Sequence, residues 1–396
     1  MIYIKRPFIE IIEEKYRCIC DTYVDNEVHP IWFEVDKKYG KYLCTERADA
    51  YVIGLLSWAM RNKHDITCDV SVSEELLYQL NEVVIPELVK HGKSMSMIKI
   101  NAEAGCSLDQ GEGVGTALSC GVDSFWSIQK HLNSAYKGMN LTHVCINNVG
   151  AFNSCYAGYG EERVKNERYL MSAKVAEELG LDLIETDSNF AEAYEQEHLL
   201  TVSYSNVFAI YMLQKLWRIY YLPSNGIDFA EFSLRNHDEN SSERTELFLL
   251  QYLSSKYLRI YCDGGELNRL EKLETISKIP YVQKYLHVCI YKPFNCGYCQ
   301  KCRRTLLALD ALNVLDSFRE SFDIDYYNSH RQEYYNWIWG QHMNGDLQNE
   351  PVYQILSQRN DFHVSNNYKI KQRIVFFAKN HFSDRQKQLI KKMVKK

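Results

Sequence analysis

The sequence predicts an α/β protein: a doubly wound parallel sheet, with an α+β domain before it and a helical extension after it. Three observations lead there. Between residues 116 and 262, short apolar runs alternate with amphipathic stretches, as parallel strands covered by helices do. Residues 8–36 hold closely spaced strand-like runs, and helical stretches follow them. Past residue 315 the chain turns aromatic and then basic, as packed helices with a charged tail would. The expected domains are residues 1–112, 113–315 and 316–396.

In the first domain, Phe8-Ile9-Glu10-Ile11-Ile12, Tyr16-Arg17-Cys18-Ile19-Cys20 and Ile31-Trp32-Phe33-Glu34-Val35 read as strands. Cys18 and Cys20 lie two apart, so they share one face and read as buried thiols. Residues 46–62 form a dense apolar helix, on which Arg47 and Asp49 read as surface or capping charges. A second helix opens at Ser71 or Ser73 and runs to about His91, with Pro86 as a kink inside it. Residues 95–100 read as a strand. Gly111-Glu112-Gly113-Val114-Gly115 reads as a flexible entry to the next strand. It precedes that strand, so it is not a dinucleotide fingerprint.

The central domain reads as strand 116–118, helix 123–133, strand 141–149 and a Gly-, Ser- and Tyr-rich loop to residue 160. Helix 161–179, stopped by Gly180, leads to strand 181–186. Helix 203–219, strand 220–223, helix 243–255 and strand 258–262 complete it. Ligands of such sheets collect at the carboxyl ends of strands, near the switch in strand order. The loops after Leu118, Val149, Pro223 and Cys262 are expected to converge there.

A length of 396 residues suits two or three domains, and 24% charged residues suit a globular chain. A net charge of −5 leaves no general basic footprint for nucleic acid. The N-terminus does not read as a signal peptide, and no apolar run is long enough to span a bilayer. The expectation is a cytoplasmic protein without membrane contact, whose thiols are reduced.

Two stretches carry chemistry. The first is Ala117-Leu118-Ser119-Cys120-Gly121-Val122-Asp123-Ser124-Phe125-Trp126. An apolar strand enters a loop of small residues, and a helix leaves it. Backbone N–H groups at such a helix start, with the positive end of its dipole, suit an anion. No Lys follows the glycine, so it is not the Gly-x-x-x-x-Gly-Lys-Ser/Thr loop. The second is Cys289, Cys296, Cys299 and Cys302. Four of the thirteen cysteines fall within 14 residues. Two Cys-x-x-Cys turns share Cys299, and Cys289 completes a tetrahedral thiolate set suited to structural Zn²⁺. An iron–sulfur cluster uses the same ligand type.

The first stretch resembles the PP-loop, Ser-Gly-Gly-x-Asp-Ser, of the ATP pyrophosphatases. With the cysteine cluster, the chain from about 115 to 315 is similar to the 7-cyano-7-deazaguanine synthase-like branch. Ser205-Asn206-Val207-Phe208 matches that branch's Arg-Asn-x-x-Phe at Asn206, and Lys272-Leu273-Glu274 matches its Lys-x-Glu. Cys120 stands where the first Gly is usual, and the resemblance survives if that position has ordinary backbone φ. The loop after the second strand, with Asn147-Asn148-Val149-Gly150, departs from the branch's substrate loop. The polar stretch 228–246, with Arg235, His237, Asp238, Glu243 and Arg244, matches only loosely.

The resemblance implies an adenine nucleotide alpha-hydrolase-like fold and a carbon–nitrogen ligase that uses ATP, Mg²⁺ and Zn²⁺. ATP would be held by Ser119, Cys120, Gly121, Val122, Asp123, Ser124 and Asn206. Asp123, Ser124 and Lys272 would serve catalysis, and the four cysteines would hold zinc. A substrate carboxylate would be adenylated with release of pyrophosphate, then joined to an amine or ammonia as amide or nitrile, with a deazapurine as candidate acid. A protein or peptide acceptor, a nucleic acid partner and a homodimer stay open. So do two other readings. In the first, Cys120 has a thiol pKa lowered by the helix start, for sulfur transfer or tRNA modification. The second is a non-catalytic ATP-binding subunit.

Overall fold

The computed structural model describes residues 1–106, 108–152, 161–224, 229–230, 232–236 and 241–381. Residues 153–160 of the loop after the second predicted strand, with Asp228, His237, Asp238 and the basic run 385–396, lie outside the described residues. Contacts divide the chain into two compact units. The first holds residues 1–268 with 291–293, and the second holds residues 269–290 with 294–396.

Among the described residues the first unit has thirteen strands: β1 (Ile2–Ile4), β2 (Phe8–Ile12), β3 (Lys15–Val24), β4 (Glu27–Asp36), β5 (Ile66–Cys68), β6 (Val72–Ser73), β7 (Ile100–Asn101), β8 (Ala104–Gly105), β9 (Gly113–Ala117), β10 (His143–Asn147), β11 (Asp182–Ser188), β12 (Trp217–Pro223) and β13 (Arg259–Asp263). Eleven form one sheet in the order β13-β12-β9-β10-β11-β4-β3-β1-β5-β7, with β2 paired on β3. β6 and β8 form a separate pair.

The five strands from β9 to β13 pair parallel with one another. Their order, β11-β10-β9-β12-β13, turns back at β9. Progress from β9 to β11 runs one way across the sheet, and β12 then starts on the other side of β9. Helices Val122–Leu132, Glu161–Leu179, His198–Met212 and Glu246–Tyr252 make the crossovers. Because such crossovers are right-handed, reversing the order puts the later helices on the opposite face. An α/β architecture with a mostly parallel central sheet is thus present, and its strand order is compatible with the expected doubly wound arrangement.

The boundary expected at residue 112 is not one the contacts draw. β4 pairs antiparallel with β11 through Val35↔Thr186, Glu34↔Asp187 and Phe33↔Ser188. The N-terminal strands therefore extend the parallel sheet instead of forming a domain of their own. The boundary expected at 315 is displaced too, since the second unit begins at Arg269.

Local chemistry explains the other shifts. The glycine-rich entry is part of β9 itself, because Trp217 lies on it. A Cβ on Gly115 would come 2.7 Å from the Trp217 ring, and one on Gly113 would come 3.1 Å from it. Glycine thus permits close packing here, not flexibility. The predicted helix 203–219 ends earlier, at Met212, and Trp217 and Ile219 belong to β12. The helical stretch from Glu74 to His91 passes through a π turn at Leu80–Val84 just before Pro86. Proline lacks the N–H that would bond one turn back, so the ladder widens there.

The helix Asp49–Asn62 packs along His198–Met212 over the sheet. Phe208 is fully buried and stacks on Phe190 with centroids 4.3 Å apart. It meets Phe33 and Tyr51 edge-on, at 5.9 and 5.7 Å. Gly54 admits this cluster, since a Cβ there would sit 2.6 Å from Phe190 Cζ. Asp49, expected at the surface or as a cap, is buried. Its carboxylate accepts from Ser73 N (2.8 Å) and Ser73 Oγ (2.6 Å). Among the described residues no helix is long and apolar enough to cross a membrane.

Phe208→Ala is expected to destabilise the first unit by about 3–5 kcal/mol, since it opens a cavity between four elements. Chemical denaturation followed by tryptophan fluorescence measures this.

Candidate functional site

β9 ends at Ala117, and the helix Val122–Leu132 starts after four intervening residues. The loop between them lies at the carboxyl end of the strand where the order turns. In doubly wound sheets this is the ligand crevice. Ser119 is exposed, while Gly121 and Asp123 are half-buried. Gly121 is the N-cap, with extended backbone, and Asp123 sits in the first turn. The Ser119 hydroxyl accepts from Gly121 N at 3.3 Å and donates to Ser124 Oγ at 3.2 Å. Ser124 Oγ donates in turn to Gly121 O at 3.1 Å. These bonds curl the loop around the helix start. The first N–H groups of a helix have no intrahelical acceptor, which suits an anion at this end of it.

Cys120 does not have the ordinary φ expected of it. Its φ is +55°. The reversal from strand to helix demands a left-handed residue here, as glycine would supply, and a cysteine in that conformation costs about 1–2 kcal/mol. Its side chain is wholly buried. Burial pushes the thiol pKa up, against the opposing pull of the Arg168 charge and a Ser172 hydrogen bond. An activated, exposed thiolate is thus absent, although the residue sits beside a helix start.

Sequence reasoning missed Arg168 and Ser172. Both lie on the Glu161–Leu179 helix and both are buried. The Arg168 guanidinium donates to the Ser119 carbonyl. Ser172 Oγ donates to Leu118 O at 3.1 Å. Together they hold the loop from beneath and set a positive charge there. The same helix brings Lys165 to Asp187, whose other oxygen accepts from Asn148 Nδ2 at 2.7 Å. Asn147 and Thr186 are joined at 2.9 Å. The carboxyl ends of β10 and β11 are thereby locked together.

Asp263, at the end of β13, is buried. Lys130 Nζ lies 3.0 Å from its Oδ1 and His131 Nε2 lies 3.2 Å from Oδ2. The His131 ring stacks on Tyr221 at 3.6 Å. Burial raises the pKa of this carboxyl, but hydrogen bonding and charge from His131 and Lys130 outweigh it and hold it below 3.8.

Asn206 lies half-buried on His198–Met212, and no hydrogen bond joins it to residues 119–124 among the described residues. Lys272 belongs to the second unit, on the helix Arg269–Ile276, where it is buried and not at the surface.

The cysteine cluster also lies in the second unit. The described elements of that unit are helices. Sulfurs of Cys289, Cys296, Cys299 and Cys302 lie within 4.8 Å of one another. Cys299 N donates to Cys296 Sγ, and Cys302 N donates to Cys299 Sγ, each at 3.4 Å. Gly297, at φ +80°, makes the first turn. The carbonyl of Gly297 accepts from Tyr334 Oη at 2.8 Å, which ties the turn to the helix Arg331–Met343. Asn295 bridges Leu286 O (2.7 Å) and Ser321 O (2.9 Å). Burial and neighbouring thiols push Cys296 up to about 11. Four thiols so packed resist ionising together, and a dication reverses that balance. Four clustered sulfurs, three of them on buried cysteines and Cys296 half-buried, with N–H···S bonds fit Zn²⁺ in a closed, structural site.

The chain matches no family model, no curated protein and no solved structure.

Metal analysis is expected to find one zinc per chain, absent in Cys299→Ala, with a lower melting temperature after chelation. Cys262→Ala, outside the cluster, should retain the metal. The Asp263 pKa is lower folded than unfolded, so its stabilisation holds above 3.8 and fades as pH falls through the folded value. Asp263→Asn is expected to lower stability at pH 7 and to flatten its dependence as pH falls below the ordinary carboxylate range.

Proposed function

We propose that residues 119–124 bind the phosphates of ATP and that the protein is an ATP-dependent carbon–nitrogen ligase. A substrate carboxylate attacks the α-phosphorus, and pyrophosphate leaves. The acyl-adenylate then reacts with an amine or ammonia, the new C–N bond forms, and AMP departs with the carboxylate oxygen. From ammonia the product is a primary amide. A nitrile requires a second activation, which removes the remaining oxygen.

One observation carries this reading: a loop with a glycine N-cap and two inward-bonded serines stands at the carboxyl end of the strand where a doubly wound sheet turns. Backbone donors, the helix dipole and the Arg168 charge all favour an anion at that point. Asp123, in the first turn, is suited to approach Mg²⁺ on the polyphosphate. Chemistry of this kind needs positioning more than a protein nucleophile. The buried, protonated Cys120 supports ligation over thiol-based sulfur transfer. Zinc in the cysteine cluster has a structural part. The resemblance makes a carboxylated deazapurine the first acid to try.

The test is pyrophosphate release from ATP over a panel of carboxylic acids, with mass spectrometry of AMP and the acyl product. Ser119→Ala and Asp123→Ala are expected to lower release at least a hundredfold, and Arg168→Ala to lower it as well. Release that depends on an acid but is undiminished in Asp123→Ala would refute the site. ATP binding with no turnover on any acid favours the non-catalytic subunit.

A further inference from the structure

We infer that the free edge of β2 is an interface with a second copy of this chain, the two β2 strands pairing antiparallel about a two-fold axis. β2 is bonded on one side only, to β3, from Phe8↔Ile19 to Ile12↔Lys15. β1 lies along the same side of β3, and β5 covers its outer edge. Among the described residues no strand does this for β2. A row of main-chain N–H and C=O groups is left open for a further strand.

The side chains add to that edge. Phe8, Ile9, Ile11 and Ile12 are 45%, 38%, 61% and 37% exposed. Successive strand residues point to opposite faces, so both faces are apolar at the edge. Edges that remain single are blunted by an inward charge, a lysine, a proline or a bulge. Between Phe8 and Ile12 there is no lysine or proline, and the register with β3 runs without a shift.

Charge selects the occupant. Exposed Arg6 precedes the strand, and exposed Glu13 and Glu14 follow it. Antiparallel pairing of two copies sets the basic entry of one beside the acidic exit of the other, twice over. Centred on Glu10, it puts Phe8 opposite Ile12 and Ile9 opposite Ile11, and brings Arg6 of one copy beside the Glu13–Glu14 turn of the other. The like-charged contact is Glu10 with its own copy, on the axis, where the side chain is exposed to water. The strand is thus complementary to itself, as a two-fold interface requires.

Sedimentation of the full chain over a dilution series tests this. The expected species is a dimer of two 46.5 kDa chains that dissociates on dilution. The double variant I9K/I11K should be monomeric and melt as the dissociated native chain does at high dilution, since neither side chain belongs to the core. Arg6→Glu alone and Glu14→Arg alone should each weaken dimerisation about tenfold, and the combined R6E/E14R chain should recover most of that loss. A monomer at every concentration overturns the proposal. So does a dimer that survives I9K/I11K, or charge variants whose losses simply add.

Discussion

The antiparallel seam between β11 and β4 is the contact on which the first unit depends. Three residue pairs join a parallel, doubly wound set to the N-terminal strands. Without them β11 would end the sheet as an open edge, and the apolar face of β3 and β4 would lack its cover. With them one large core cluster runs from Ile2 to Ile260, beside a smaller one of Ile146, Phe152, Val164 and Tyr169. The helix Asp49–Asn62 lies on His198–Met212, and residues far apart in sequence are buried as one layer. Apolar burial of this extent outweighs the ordering of a long chain in a way that two small separate cores would not.

That scaffold explains why the loop at 119–124 is held so tightly. β9 lies at the centre of its five parallel strands, and its glycines let the Trp217 ring sit against it. The strand cannot shift without disturbing that ring. At its end the chain must turn sharply into a helix, and Cys120 takes a left-handed conformation to do so. Bonds from Arg168 and Ser172 on the neighbouring crossover helix hold the strained turn. A preorganised set of donors is the physical requirement for catalysis that relies on placing charge.

The cysteine cluster solves a different problem. Its unit has short helices and little sheet to anchor them. Two tight turns with N–H···S bonds bring four sulfurs together, and Tyr334 and Asn295 fasten those turns to helices and loops around them. The soft ligand set makes metal binding a source of folding free energy for such a unit.

Much of this was legible in order along the chain. Alternating apolar runs announced the parallel strands, Gly180 marked a helix end, and cysteine spacing alone named all four members of the cluster. The loop of small residues after a strand announced a candidate anion site. These are local signals, written in spacing and side-chain type. What only the tertiary structure decided is which distant segments meet. Strand edges carry no address, so nothing local says that β11 takes β4 as its neighbour and erases the boundary at residue 112. Arg168 looks like any helix arginine until the crossover brings it under Ser119. Glycines in β9 look flexible until a tryptophan fills the space they leave. Position along a chain is set by covalent bonds, but burial and partners are set by packing, and packing exists only once the sheet has closed.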